Sequence, residues 1–176
     1  NRLANALRGL AALGFAGCNV TIPHKVPALQ LVDRVDAFAR RIGAINTIVV
    51  ERDGTLSGYN NDGFGYVQSL CDAKPDWRAD AGPIVVLGAG GAARAVAATL
   101  ADADAREIRL LNRTPQHALD IAQAVGAVVN ALPWEQRHDA LADAALVVNT
   151  TSQGRSGQPP LDISLAALPR HALVSD

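Results

Sequence analysis

Lys25 and Asp62 are the residues of this 176-residue sequence whose types and settings best suit a catalytic pair. Lys25 closes the run Asn19-Val20-Thr21-Ile22-Pro23-His24-Lys25, and Asp62 sits in Asn60-Asn61-Asp62-Gly63. Between them, Gly43-Ala44-Ile45-Asn46-Thr47 adds a third polar cluster. Each cluster falls at the end of a strand-like run, and in open α/β sheets such ends line the ligand crevice. Spacing does not by itself bring the two residues together. A lysine after a proline is commonly a solvated loop residue, and Asp-Gly is commonly a turn.

A different chemistry is written into Val85-Val86-Leu87-Gly88-Ala89-Gly90-Gly91-Ala92-Ala93-Arg94, a strand running through a glycine turn into a helix. This G-x-G-x-x-A pattern suits a dinucleotide: Gly88 for the tight turn, Gly90 for backbone approach to a pyrophosphate, Ala93 for close helix–strand packing. The competing reading is an ordinary glycine turn in an α/β domain. At the end of the next strand stands Asn112-Arg113-Thr114, where NAD enzymes of this kind place an acid. A guanidinium there pairs with a 2′-phosphate and stacks on adenine, so NADP is favoured over NAD. An isolated arginine is otherwise most simply a solvated surface residue.

The elements that must position these groups follow from periodicity and turn chemistry. Residues 1–13 carry apolar residues at helical spacing, 17–22 read as a strand stopped by Pro23, and 27–41 read as a second helix closed by Gly43. Strands over 44–50 and 55–59 flank Asp53-Gly54, a hairpin signal, and a helix over 64–73 follows. Lys74 to Pro83, with two prolines, two aspartates and Gly82, is the best linker. Beyond it strands at 84–87, 107–111, 127–129 and 145–148 alternate with helices, the helix–strand alternation of a parallel sheet covered on both faces. The expected fold class is α/β with two partial domains. Residues 1–73 form an α/β substrate domain, 74–82 a linker, and 83–176 a Rossmann-like, doubly wound nucleotide domain. Asn1 reads as starting inside a helix and 172–176 as an uncapped strand, so the chain is expected to be part of a longer protein.

Composition excludes several classes. Hydrophobic residues make up 49% and charged residues 19%, against a disordered polymer. With 16 Lys and Arg against 17 Asp and Glu, no basic field exists for nucleic acid or an anionic membrane, so neither is an expected partner. No apolar stretch approaches the roughly 20 residues of a membrane span. Cys18 and Cys71 lie in no metal or redox spacing and read as cytosolic thiols, with no metal site implied. His117, His138 and His171 make no ligand spacing, His24 is left out of the mechanism, and Trp77 and Trp134 read as packing or surface residues.

In this order, the motifs quoted above and Asn149-Thr150-Thr151-Ser152-Gln153-Gly154 resemble the shikimate dehydrogenase family over essentially the whole chain. The resemblance implies reversible reduction of 3-dehydroshikimate to shikimate with NADPH, in the cytoplasm, as a step toward aromatic amino acids. It implies a catalytic Lys25 that stabilises and protonates the carbonyl oxygen as hydride arrives, and an Asp62 that orients the lysine and binds a substrate hydroxyl. Thr21 and Asn46 would contact substrate hydroxyls. Gly88, Ala89, Gly90, Gly91 and Ala92 would cradle the pyrophosphate, Asn112, Arg113 and Thr114 would hold the 2′-phosphate, and Thr150, Thr151 and Ser152 would border the cleft, with Asn149 shaping their loop. The sequence departs from the family pattern at Asn61, usually threonine, with little effect expected. It also has Pro115-Gln116-His117 where many members carry a second arginine, which loads the phosphate clamp onto Arg113. The family's serine motif for the substrate carboxylate and its C-terminal glycine-rich helix are not in the chain, so this chain alone is expected to be a poor enzyme. A broader quinate and shikimate dehydrogenase, a non-catalytic NADP-binding module and a purely structural α/β domain are the alternatives, and monomer and homodimer both stay open.

Overall fold

The computed structural model describes residues 2–154 and 156–176. Helix α1 (Arg2–Ala12) turns Leu7 inward with Leu3 and Leu10 packed beside it, as the spacing predicts; it also buries Ala4, while Ala6 and Leu13, expected on the same face, are exposed. Strand β1 (Gly17–Asn19) stops short of the expected Ile22. The chain turns instead, the Thr21 carbonyl accepting from the His24 amide at 2.7 Å, and α2 (Lys25–Leu29) starts at the lysine itself.

The single helix expected over 27–41 is not formed. The segment divides into α2, the short strand β2 (Arg34–Val35) and α3 (Ala37–Ile42). Two aspartates account for the break. The Asp33 carboxylate accepts the Leu56 amide at 2.8 Å, drawing the chain alongside a strand. Asp36 then caps α3 through the Phe38 and Ala39 amides. The apolar residues that looked helical, Val32 and Val35, still face a core, built around Leu7, Val20, Ala28, Ala39, Ile45, Ile48 and Leu56. Strands β3 (Thr47–Val50) and β4 (Leu56–Tyr59) make the expected hairpin with Gly54 at φ 82°, and the sheet order is β1-β3-β4-β2, with β2 parallel to β4. Helix α4 (Asp62–Ala73) begins two residues before the expected Phe64, placing Asp62 in its first turn, where a carboxylate complements the helix dipole.

The second sheet is parallel throughout, in the order β7-β6-β5-β8-β9. Its strands are β5 (Ile84–Leu87), β6 (Ile108–Asn112), β7 (Val129–Pro133), β8 (Leu146–Asn149) and β9 (Leu173–Ser175). Alternation along β5 sends Ile84 and Val86 into the core under α5 (Gly91–Asp102) and α6 (Pro115–Val125), and Val85 and Leu87 to the opposite face. That second face is lined by two 3-10 turns, Trp134–Arg137 and Asp139–Leu141, and by Leu161, Ile163 and Leu168. Strand β7 starts later than the expected 127, because the chain first turns at Gly126 (φ 118°), whose carbonyl accepts from the Val129 amide. Arg109 on β6, bonded to Asp143 and Glu107, has its pKa raised, while Asp143 is held below the usual carboxylate range by that guanidinium.

The two sheets meet through helices. At Gly63 an added side chain would run into Thr99 and the Ala95 carbonyl, so glycine lets α4 lie directly on α5. Arg41 of α3 makes a two-pronged ion pair with Asp102 of α5, at 3.0 and 2.5 Å, and Arg94 donates to the Ile42 carbonyl. The segment expected as a linker is pinned to the second sheet: Trp77 packs on its core and Ala79 is buried within it. Among the described residues, no helix is long and apolar enough to cross a membrane.

Candidate active site and nucleotide groove

Local turns bring Lys25 and Asp62 together. Lys25 opens α2, its carbonyl accepting from the Ile45 amide at 3.0 Å, and Asp62 opens α4 beside the end of β4. Their side chains meet at 2.6 Å between Nζ and Oδ2, with exposures of 15% and 26%. Asn46 Nδ2 donates to the other carboxylate oxygen at 2.8 Å. Asn46 is itself fixed, since its Oδ1 accepts from the Thr47 hydroxyl and the Asn61 amide. Its backbone is tied on both sides, to the Val20 amide and to the Tyr59 carbonyl.

Counting donors and acceptors shows what is left for a ligand. An ammonium has three N–H groups and Lys25 uses one, so two remain among the described residues. A carboxylate has about four acceptor positions, and Asp62 uses one on each oxygen. Asn46 keeps one N–H. The three groups thus converge with spare donors and acceptors of both kinds, as a polyhydroxylated carbonyl compound requires. Asn60, quoted in its motif without a role, is 7% exposed, accepts the Asp62 amide at 3.0 Å and donates to the Ala44 carbonyl. It fixes the backbone that aims Asp62, and its signal in the sequence was the asparagine two residues before a helix start. Thr21 stands outside this network. It is exposed, and its hydroxyl makes no hydrogen bond among the described residues.

The nucleotide motif builds a groove of about 280 Å³ lined by Gly88, Ala89, Gly90, Asn112, Arg113, Thr150, Thr151 and Ser152, joined by Ile22, Trp134 and Gln153. Gly88 and Gly90 each have their own reason. Gly88 has φ 100°, and a side chain there would meet Thr150 Oγ1 at 2.7 Å. Gly90 faces open space, leaving its backbone approachable. A side chain on Gly91 would meet the Lys25 stem at 3.4 Å, an ordinary contact, so the lysine stem runs beside the nucleotide turn. Gly90 caps α5 without a side-chain hydrogen bond, and the first-turn amides of a helix have no partner within it. They form an anion site with the favourable end of the helix dipole.

The remaining expected residues divide. Arg113 is exposed and has no ion pair or hydrogen bond among the described residues, so its fork of donors is free. Asn112 donates to the Thr114 carbonyl at 2.9 Å and shapes the turn that presents Arg113. Thr114 itself is exposed outside the groove lining, and Gly91 and Ala92 lie in the first turn of α5 behind it. The Thr150 hydroxyl is engaged with the Leu87 carbonyl at 2.7 Å and the Thr151 hydroxyl with Asn149 Oδ1 at 2.7 Å. Asn149 holds the loop, as expected, donating also to Asp176. Trp134, read from the sequence as a packing or surface residue, does pack against the core and also borders the groove, a position that no local pattern signals.

Known proteins match the chain on both sides of the site. The family model described as shikimate dehydrogenase substrate binding domain matches residues 1–48, and that described as shikimate / quinate 5-dehydrogenase matches 73–156. A relative in Rhodospirillum rubrum, a shikimate dehydrogenase (NADP(+)), is 51% identical over 178 residues, covering 99% of this chain and 63% of the relative. Among solved structures, quinate dehydrogenase from Corynebacterium glutamicum in complex with NAD superposes with a TM-score of 0.87 at 30% identity, covering 98% of this chain and 62% of that one. Shikimate 5-dehydrogenase from Thermus thermophilus in complex with NADP(H) and shikimate gives 0.82 at 34%, with the same coverage. The chain therefore spans a little over three fifths of the length of these relatives. On these matches, covering substrate-side and nucleotide-side motifs alike, the chain belongs to the shikimate dehydrogenase family.

Proposed function

We propose that the whole protein is an NADP-dependent oxidoreductase of the cytoplasm that interconverts 3-dehydroshikimate and shikimate. The observation that carries this reading is the 2.6 Å Lys25–Asp62 contact, with the lysine stem running beside the glycine turn at Gly91 and a groove that ends in a free Arg113. Residues 1–73 act as the substrate domain, 74–82 as the connection and 83–176 as the nucleotide domain. NADP, when bound, supplies or accepts the hydride. Lys25 donates one of its two remaining N–H bonds to the substrate oxygen, stabilises the charge that grows there and delivers the proton. Asp62 holds the ammonium in place and accepts a substrate hydroxyl, and Asn46 donates to another. Thr21 lies at the turn before Lys25 and reaches the substrate only from its exposed side.

The absence of an acid beside Arg113 supports NADP over NAD, since a carboxylate there would repel a 2′-phosphate. Quinate is the second substrate to test, because a quinate dehydrogenase is among the structural relatives. The experiment is reduction of NADP and of NAD by the whole protein, followed spectrophotometrically with shikimate and with quinate. Turnover with shikimate and NADP is expected to exceed the other three combinations. NADP binding without turnover on either substrate would leave a binding module instead. Asp62→Asn is expected to lower both turnover and shikimate affinity, and wild-type values for both would remove its assigned role.

A further inference from the structure

We propose that Trp134 is the base platform of the nucleotide groove, its indole taking the adenine of a 2′-phosphorylated adenosine beside Arg113. The inference rests on the NADP reading above and adds a binding residue that the glycine motif and the Asn112-Arg113-Thr114 turn do not include.

The sheet register places the two residues side by side. Asn112 and Pro133 are partners at the ends of parallel β6 and β7, so Arg113 and Trp134 are the next residues out of adjacent strands. Both line the same groove. Arg113 offers a free guanidinium for the phosphate, and Trp134 offers a large apolar ring, the surface on which a purine stacks whatever its hydrogen-bonding edge.

The ring is also held. Arg137 lies over it at 5.4 Å from the centroid and donates to the Trp134 carbonyl at 3.2 Å. That guanidinium, only 14% exposed, is fastened by the Asp162 carboxylate at 2.5 Å and the Asp162 carbonyl at 2.7 Å. The residue also packs against the core around Leu87, Leu111 and Leu141. An aromatic ring backed by core, braced by a cation and bordering a groove loses little freedom when a base lands on it. Arg137 is accordingly a positioning residue.

The test is calorimetric titration of the whole protein with adenosine 2′,5′-bisphosphate, comparing wild type, Trp134→Leu, Trp134→Phe and Arg137→Met. Leucine keeps apolar volume and removes the stacking surface, and is expected to weaken binding about ten-fold, the low end of base–aromatic stacking. Phenylalanine is expected to stay within about three-fold on the same grounds, and Arg137→Met to fall between them. Only two tryptophans are present, so a ligand-induced change in emission is expected in wild type and lost in Trp134→Phe. Wild-type affinity in Trp134→Leu overturns the platform while leaving the NADP reading intact, and so does equal loss in the leucine and phenylalanine variants. No binding of the bisphosphate by wild type overturns the NADP reading, and the platform with it.

Discussion

The surroundings of Asp62 and the groove at the end of β5 are built on opposite plans. Around Asp62, side chains fix one another: Lys25, Asn46, Asn60 and Thr47 form a connected set, each held by at least one bond to a neighbour or to backbone. In the groove, the amides at the start of α5 and the turn glycines Gly88 and Gly90 are joined by a guanidinium that has no partner among the described residues. The first region is preorganised and therefore suited to a transition state, where geometry must not be rearranged at the moment of reaction. The second leaves a helix end and the Arg113 guanidinium without partners among the described residues, as a site for an anionic ligand would. Chemistry and cofactor grip are thereby separable, although the Lys25 stem runs beside the glycine turn at Gly91.

Substitutions that should break one plan and spare the other sharpen this contrast. Lys25→Ala is expected to cost the most, about a thousand-fold in turnover, the middle of the range for general acid–base groups, with NADP affinity changed little. Steady-state rates with shikimate check the first part. Next comes Arg113→Ala, expected to weaken NADP binding about ten- to a hundred-fold, the value of charged hydrogen bonds, while NAD, which lacks the phosphate, loses much less. Equal weakening of both cofactors would show that Arg113 does not read the 2′-phosphate. Gly88→Ala forces a side chain into Thr150 Oγ1 at positive φ and should destabilise the fold by about 1–3 kcal/mol, measured by denaturant unfolding. The smallest effect belongs to Asn61→Thr. The exposed Asn61 side chain makes a single 3.3 Å bond to Thr47, so its loss should stay within about 0.5 kcal/mol by the same unfolding measurement.

The sequence was most legible where a motif is local. Val85 to Arg94 carries its strand, turn and helix in one stretch, and the groove forms there. Gly88 nevertheless has a second reason that no local pattern contains, since the loop that crowds it comes from Thr150, far along the chain. The Lys25–Asp62 contact was likewise beyond spacing. It depends on α2 starting at the lysine and α4 at the aspartate, and both starts were placed two residues late. The expected helix over 27–41 failed because apolar periodicity marks only which residues are buried. Asp33 and Asp36 determine the backbone there, through tertiary and capping bonds that outweigh propensity. Trp134 packs on the core as read, but its second place, at the groove, depends on β7 running to Pro133, which brings it out of the sheet level with Arg113.

The separation of the two plans is tested most directly by titrating NADP into Lys25→Ala and wild type of the whole protein while assaying the same samples for shikimate oxidation. The account predicts dissociation constants that agree within about three-fold and turnover that falls about a thousand-fold. Turnover that survives the loss of Lys25, or NADP binding that disappears with it, would contradict the account.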